Sequence, residues 1–112
     1  MELLRGTLDM LVLQTLDTMG PVHGYGITRR IEQMSGDALL LNDGTVYASL
    51  VRLQQRGWIG AKWGTSENNR RAKFYALRAA GRRALQEQTS LWEQWSALIG
   101  RALRPAKGEA RS

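Results

Sequence analysis

The residues that could carry out chemistry in this sequence are few, and most of them are basic. There is no cysteine, and the single histidine, His23, stands beside Gly24 with no acidic cluster near it in sequence. Disulfides and thiolate metal sites are therefore excluded. No spacing of paired carboxylates or metal ligands supports catalysis. We expect no enzyme activity, no metal and no cofactor, and we assign His23 to a hydrogen bond at the start of a helix.

The basic residues are concentrated in one part of the chain. The 112 residues include 16 Lys and Arg and 10 Asp and Glu, which gives a net charge of +6. Residues 44–83 hold nine of the basic residues and one acid, a net charge of +8, and the remainder is at −2. An evenly spread charge would indicate a solubilising surface. This uneven distribution favours an anionic polymer as the partner.

The segment GTVYASLVRLQQRGWI, residues 44–59, predicts a helix with two different sides. Val46, Leu50 and Leu53 are spaced four and three residues apart, so they share one buried stripe. The other side carries short or flexible side chains. Such side chains can enter the major groove of B-DNA, where each base pair presents its own donors, acceptors and methyl groups. The candidate DNA-binding residues of this helix are Thr45, Tyr47, Ala48 and Arg52.

Each of these candidates has a contact that it can make. The methyl groups of Thr45 and Ala48 can contact thymine methyls, and Arg52 can reach guanine or a phosphate. Tyr47 can donate its hydroxyl to a phosphate. The competing interpretations are a half-buried Tyr47 that packs on its own domain and a solvated surface Arg52.

Alternation with a period of two predicts a β-hairpin after this helix, with strands in residues 58–63 and 72–77. The residues between the strands, GTSENNRR, are turn formers that end in two arginines. We assign Trp58 and Trp63 to structure, and Asn68 and Asn69 to the turn. A basic cluster at the tip would contact phosphates or the minor groove and add affinity more than sequence information. Its members are Lys62, Arg70, Arg71 and Lys73.

The order of elements predicts the architecture. One helix covers residues 7–19, with Thr7 as its N-cap and Asp9 in its first turn, and a second runs from about residue 23 to Ser35-Gly36. Asn42 or Asp43 caps the third helix, and Gly57 ends it. We therefore expect a mainly α fold with a two-stranded β-hairpin. It consists of a winged helix-turn-helix DNA-binding domain (1–78), a long C-terminal dimerisation helix (79–104) and a disordered tail (105–112).

The last predicted helix has more apolar surface than a small domain can cover. Leu85, Trp92 and Ile99 recur every seven residues, and Trp95 belongs to a second such series. The same helix of a second chain is the simplest partner, giving a homodimer. Two interpretations of Trp92 and Trp95 stay open. They pack in the dimer interface, or they form a pocket between chains for a small aromatic effector.

Four blocks of the sequence resemble the PadR-type transcriptional regulators. They are HGYGI, GTVYASLVRLQQRGWI, NNRRAKFYAL and AAGRRAL, in the order and spacing of that family over residues 3–85. The chain looks like the shorter-tailed members, which have a single C-terminal helix. It departs from the family at Arg78, where many members have a threonine that caps the last helix.

The resemblance implies a dimeric bacterial repressor that binds an operator through a winged helix and is released by a small molecule or another signal. It also implies which residues contact DNA. Thr45, Tyr47 and Arg52 would lie on the recognition helix, and Arg70, Arg71 and Lys73 on the wing.

The function that we predict is therefore a sequence-specific DNA-binding transcriptional regulator. The alternatives are a nonspecific or architectural nucleic-acid-binding protein and a protein-interaction adaptor. The small, methyl-rich helix face favours the first over the second, and the +8 segment disfavours the third. No run approaches the ~18 apolar residues of a membrane helix, and no secretory signal is visible. We expect a cytoplasmic protein whose partners are double-stranded DNA and a second copy of itself, with no membrane association.

Overall fold

The computed structural model of the chain describes residues 2–38 and 40–104, with side chains from residue 6 onwards. The elements follow one another as α1 (Glu2–Met19), β1 (Val22–His23), α2 (Gly24–Met34), α3 (Asp43–Gln55), β2 (Ile59–Thr65), β3 (Arg71–Leu77) and α4 (Ala79–Leu103). The predicted mainly helical fold with a β-hairpin and a long last helix is confirmed. The predicted tail, residues 105–112, lies outside the described residues.

The sheet has three antiparallel strands in the order β1-β3-β2, one more than the predicted hairpin. β2 and β3 pair without a break from Ile59 opposite Leu77 to Thr65 opposite Arg71. β1 adds only two residues, which pair with the middle of β3. A strand of two residues is too short to show an alternating pattern, so β1 is not predictable from the sequence.

The first helix is longer than predicted. α1 begins at Glu2, so the predicted N-cap at Thr7 is wrong and Thr7 lies inside the helix. The residues before it, Glu-Leu-Leu-Arg, all have high helix propensity, which carries the helix through Gly6 despite the cost of a glycine.

The other predicted helix ends are confirmed. Asn42 is the N-cap of α3, and its side-chain oxygen accepts the backbone N–H groups of Gly44 at 2.6 Å and Thr45 at 3.3 Å. Gly36 follows α2 with a φ of 67°, and Gly57 follows α3 with a φ of 76°. Glycine tolerates this left-handed conformation without the steric cost that other residues incur.

One apolar cluster joins the helices to the sheet, and the predicted stripe of α3 is part of it. Leu85 also belongs to this core and is only 4% exposed, so its predicted place in a dimer or effector interface is wrong. The reason is that the first turns of α4 pack on α1. The buried cluster consists of Leu8, Val12, Leu13, Leu16, Val22, Ile27, Ile31, Val46, Leu50, Leu53, Ile59, Tyr75 and Leu85.

The approach of α4 to the domain depends on Gly81. A Cβ at this position would overlap the backbone carbonyl oxygen of Trp58, and that oxygen also accepts the N–H of Arg78 at 2.9 Å. Arg78 itself makes no side-chain capping bond, yet α4 begins at the next residue. In the described part of the chain, no helix combines the length and apolar character needed to cross a bilayer.

Candidate nucleic-acid interface

The outer side of α3 is exposed to solvent. Thr45, Tyr47 and Ala48 are all exposed, and Tyr47 keeps 57% of its accessible surface. The opposite side of the helix carries Val46 and Leu50, which are 1% and 2% exposed. The helix therefore presents a surface of small and hydroxyl-bearing side chains away from the core, held by an apolar stripe behind it.

The N-terminus of α3 is unobstructed at this surface. A Cβ at position 44 would lie 2.9 Å from Oδ1 of Asn42, so a larger residue there would displace the capping side chain. Glycine leaves room for the cap and keeps the first turn narrow. The acidic Asp43 sits in this first turn, where the helix dipole favours a negative charge.

Arg52 does not point outward. Its Nη2 donates to Oδ1 of Asp9 at 2.7 Å, and its Nε donates to Oδ2 at 3.2 Å. Asp9 lies on α1 and is 5% exposed, and the hydroxyl of Ser49 donates to the same Oδ1 at 2.6 Å. The prediction that Arg52 faces DNA is therefore wrong for this structure. Helical spacing alone places Arg52 near the outer side, but α1 covers that flank of α3 with a buried carboxylate.

The tip of the β2–β3 hairpin, from Gly64 to Lys73, forms a narrow loop that we call the wing. Asn69 has a φ of 59°, and its N–H donates to the carbonyl of Ser66 at 2.8 Å. Ser66 in turn donates its own N–H to the carbonyl of Arg70, also at 2.8 Å. The predicted turn role of Asn69 is confirmed, since asparagine tolerates the left-handed conformation there.

Two basic side chains of the wing stack on a tryptophan. The guanidinium carbon of Arg71 lies 4.6 Å from the ring centroid of Trp63, and Nζ of Lys73 lies 5.8 Å from it. Trp63 is nevertheless 56% exposed. Together with the exposed Arg70, these residues form a cationic surface beside the N-terminus of α3.

Lys62 is not part of this surface. It pairs with Phe74 in the sheet, whereas Trp63 pairs with Lys73. Because neighbouring residues of a strand point to opposite faces, Lys62 lies on the other side of the sheet. The predicted cluster is therefore wrong for Lys62.

A groove of about 530 Å³ separates the wing from the N-termini of α2 and α3. Arg70, Arg71 and Lys73 line one wall, and Tyr25 and Tyr47 line the other. Cations that face two tyrosine hydroxyls are suited to an anionic strand such as a phosphate backbone.

The floor of the groove contains Tyr75. Burial raises the pKa of this phenol, and the neighbouring Tyr47 raises it further. The hydroxyl of Tyr75 therefore stays protonated over the physiological range, and the acidic residues of the groove lining are Asp43 and Glu67.

His23 closes one end of the groove and has the predicted capping role. Its Nδ1 accepts the N–H of Gly26 at 3.1 Å, which caps α2. Its Nε2 lies 3.8 Å from Oε1 of Glu67, and its ring packs edge-on against Phe74. Within residues 2–38 and 40–104, no three His, Asp, Glu or Cys side chains are grouped to hold a metal ion.

The geometry agrees with a comparison against known families. The sequence model of the transcriptional regulator PadR-like family matches residues 12–87. The chain belongs to the PadR-like family. The match includes the exposed side of α3, the wing and the first turns of α4.

Solved PadR-like and related regulators have the same fold. A transcriptional regulator from Clostridium thermocellum superposes with a TM-score of 0.78 at 24% identity, covering 89% of this chain and 93% of that one. A PadR family regulator from Eggerthella lenta gives 0.73 at 28% identity, covering 91% and 86%. PadR of Bacillus subtilis in complex with operator DNA gives 0.64 at 23% identity, covering 74% of this chain and 47% of that structure.

This PadR-like chain has a second groove, between α1 and α4, which we call the α1–α4 groove. It measures about 460 Å³. Trp92, Trp95 and Ile99 line it and remain 54%, 53% and 49% exposed, respectively. Three of the four residues predicted for an interface on the last helix thus share one surface. The complete lining is Gly6, Thr7, Met10, Gln88, Leu91, Trp92, Trp95 and Ile99.

Two residues that contact the exposed helix or the wing of this PadR-like chain, Asp9 and Trp63, are not predicted from the sequence as part of the site. The predicted place of Asp9 is the first turn of a helix, but Asp9 shares a side with Val12 and Leu16 and so follows the buried stripe. That spacing is the signal that could have identified a buried acid. The predicted role of Trp63 is structural, and nothing in its spacing distinguishes a core indole from one that contacts surface cations.

Proposed function

We propose that this PadR-like chain binds duplex DNA sequence-specifically, as a homodimer, and regulates transcription. The observation that carries the proposal is the exposed outer side of α3, with Thr45, Tyr47 and Ala48, next to the cationic surface of the wing. A groove of about 530 Å³ separates the two surfaces.

In this proposal the N-terminal half of α3 enters the major groove. Gly44 and Ala48 add almost no bulk, so the helix can approach the base edges closely. The methyl groups of Thr45 and Ala48 can contact thymine. Tyr25 and Tyr47 would donate hydroxyls to the strand that passes through the groove, and such contacts fix register without carrying sequence information.

The wing would supply affinity. Arg70, Arg71 and Lys73 would neutralise phosphates of the same or the neighbouring strand, which makes binding salt-dependent. On the exposed side of α3 there is no Lys or Arg, since Arg52 is engaged by Asp9. A nonspecific binder would gain more from cations on that helix, so this distribution of charge favours sequence readout.

Dimerisation would follow from α4. Its C-terminal half leaves Leu91, Trp92, Trp95, Leu98 and Ile99 exposed on one side, a surface that a second copy can cover. Two copies would read half-sites about 34 Å apart. We further propose that the protein acts as a repressor and that a flat aromatic molecule in the α1–α4 groove releases it. The two exposed indoles of that groove support this.

The test is selection of duplexes from a random library, followed by affinity measurements on a selected and an unrelated duplex. We expect the wild-type protein to prefer the selected duplex by at least about a thousandfold. Ala48→Glu should weaken binding to it by at least about tenfold, because the side chain blocks the groove and repels phosphates. Ala97→Glu, the same change at an exposed position of α4, is the matched control and should bind like wild type.

Two outcomes would contradict the proposal. A library that yields no shared sequence, with all duplexes bound alike, would indicate nonspecific binding through the wing. Equal binding by Ala48→Glu and wild type would show that α3 does not enter the groove.

A further inference from the structure

Three hydrogen bonds to one buried carboxylate connect α1 with α3. Asp9 accepts from Ser49 Oγ at 2.6 Å, from Arg52 Nη2 at 2.7 Å and from Arg52 Nε at 3.2 Å. Asp9 is 5% exposed and Ser49 is 0% exposed. Both carboxylate oxygens are therefore occupied by donors of the helix that carries the exposed surface.

The two partners of Asp9 are placed so that they fix the position of α3. Ser49 and Arg52 are three residues apart, so they lie on the same side of the helix one turn from each other. A helix held at one point can still rotate or slide. A bidentate guanidinium–carboxylate pair is directional, and a second anchor one turn away restrains both movements.

The same anchors lie one turn from the candidate base-reading residues. Ala48 is four residues before Arg52, and Thr45 is four residues before Ser49. The outer surface of a helix is about 5 Å from its axis. A rotation of about 20° would therefore displace these side chains by nearly 2 Å, more than a hydrogen bond or a methyl contact tolerates.

We propose that Asp9 is a positioning residue for DNA recognition. It sets the rotation and height of α3 on α1, and thereby aims Thr45 and Ala48 at the base edges. The inference rests on the proposed function, in which α3 enters the major groove. It also gives Arg52 a new role, as a partner of Asp9 and not as a contact to DNA.

The test compares variants at both ends of the link. The affinity of each is measured for the selected duplex and for an unrelated duplex, over a range of salt concentrations, at a temperature where every variant is folded. Asp9→Asn removes the negative charge that pairs with the Arg52 guanidinium. The double variant Asp9→Asn/Arg52→Gln removes the charge at both ends of the link. It should therefore regain stability without restoring the position of α3 on α1.

We expect the preference for the selected duplex to fall by about tenfold in Asp9→Asn, the effect of losing one good base contact. The double variant should show the same loss, even if it unfolds at a higher temperature than Asp9→Asn. Arg52→Gln alone should also lower the preference, and the slope of log affinity against log salt should stay at its wild-type value, because no phosphate contact is lost.

The matched control is Thr15→Val. The Thr15 hydroxyl is buried on α1 like the Asp9 carboxylate, but it donates to the carbonyl of Leu11 at 2.8 Å and so makes its bond within α1. This variant should lose stability and keep the wild-type preference. A purely structural role of Asp9 would make Asp9→Asn behave in the same way.

The outcomes separate the two proposals. An unchanged preference in Asp9→Asn and in the double variant would overturn the positioning role alone. A salt slope that becomes shallower by about one in Arg52→Gln would assign Arg52 to a phosphate and overturn it as well. A wild-type protein that prefers no sequence would overturn the proposed function, and this inference with it.

Discussion

Trp63 and Arg71 stack on one another across the β2–β3 hairpin, with the guanidinium carbon 4.6 Å from the centroid of the indole ring. Trp63 is opposite Lys73 in the strand register, so Arg71 is its diagonal neighbour on the same face. An indole between two cations restricts their rotamers while leaving their charges exposed. The wing therefore presents its charge in a preformed arrangement.

Removing this indole should weaken DNA binding without changing its sequence preference. Trp63→Ala deletes the surface on which Arg71 and Lys73 rest, and each exposed cation–π contact contributes about 0.5–1 kcal/mol. We expect dissociation constants to rise by roughly fivefold on every duplex, selected or unrelated. Fluorescence anisotropy on both duplexes measures this.

Trp63→Phe is the control for that variant, since it keeps a ring with a weaker negative face. It should fall between wild type and Trp63→Ala. A change in the ratio of the two affinities, instead of a parallel loss, would mean that Trp63 contacts the bases itself.

A buried acid ties α2 to the segment that leads into α3. The carboxylate of Glu32 accepts the N–H of Leu41 at 3.0 Å and a bond from Arg29 at 2.8 Å. The hydrogen bond from Leu41 is the main cause of a pKa lowered below the usual 4.5, and Arg29 lowers it further against the opposing effect of burial.

This lowered pKa predicts a stability that depends on pH. The unfolded chain binds a proton at Glu32 more readily than the folded one does. The contribution of the carboxylate is therefore complete above pH 4.5 and is lost as the pH falls through the folded pKa. Glu32→Gln should be less stable than wild type at pH 7, and the gap should narrow as the pH falls below 4.5.

Urea unfolding at several pH values measures the gap. Glu87→Gln, at an exposed position of α4, is the control and should follow wild type throughout. A gap between Glu32→Gln and wild type that stays constant down to pH 3 would show that the hydrogen bonds of Glu32 do not depend on its charge.

The sequence predicted those parts of the fold that depend on local chemistry. Asn42 caps α3 because its side chain can accept backbone N–H groups, and Gly57 ends that helix because of its positive φ. Both signals act over a few residues. It was also predictable from the sequence that Lys62 and Trp63 point to opposite faces of the sheet, because alternation along a strand is a local rule.

The remaining features depend on how distant elements pack. Arg52 has the helical position of an exposed residue. Only the packing of α1 against α3 brings Asp9 into contact with it. Leu85 has the same heptad spacing as Trp92, yet one is in the core and the other is 54% exposed. The difference arises because α1 packs on the start of α4. The spacing of apolar residues within α4 does not show where that contact ends.

The exposed half of α4 leads to the last prediction, which concerns assembly. We expect the wild-type protein to sediment at twice the monomer mass at micromolar concentration. Trp95→Glu should dissociate it, because the new carboxylate lies in the middle of the apolar stripe and would be desolvated in the interface. The monomer should stay folded, since Trp95 is 53% exposed and outside the core.

Ala97→Glu is the control for the dimer as well as for DNA binding. Two residues on an α-helix subtend about 200°, so position 97 lies on the side of α4 opposite Trp95. The same charge placed there should leave the dimer intact.

Two half-sites are bound together only by a dimer. Trp95→Glu should therefore also lose most of its affinity for a selected duplex, although its α3 and wing stay unchanged. A monomeric wild-type protein, or equal dissociation by both variants, would show that this side of α4 is not the interface.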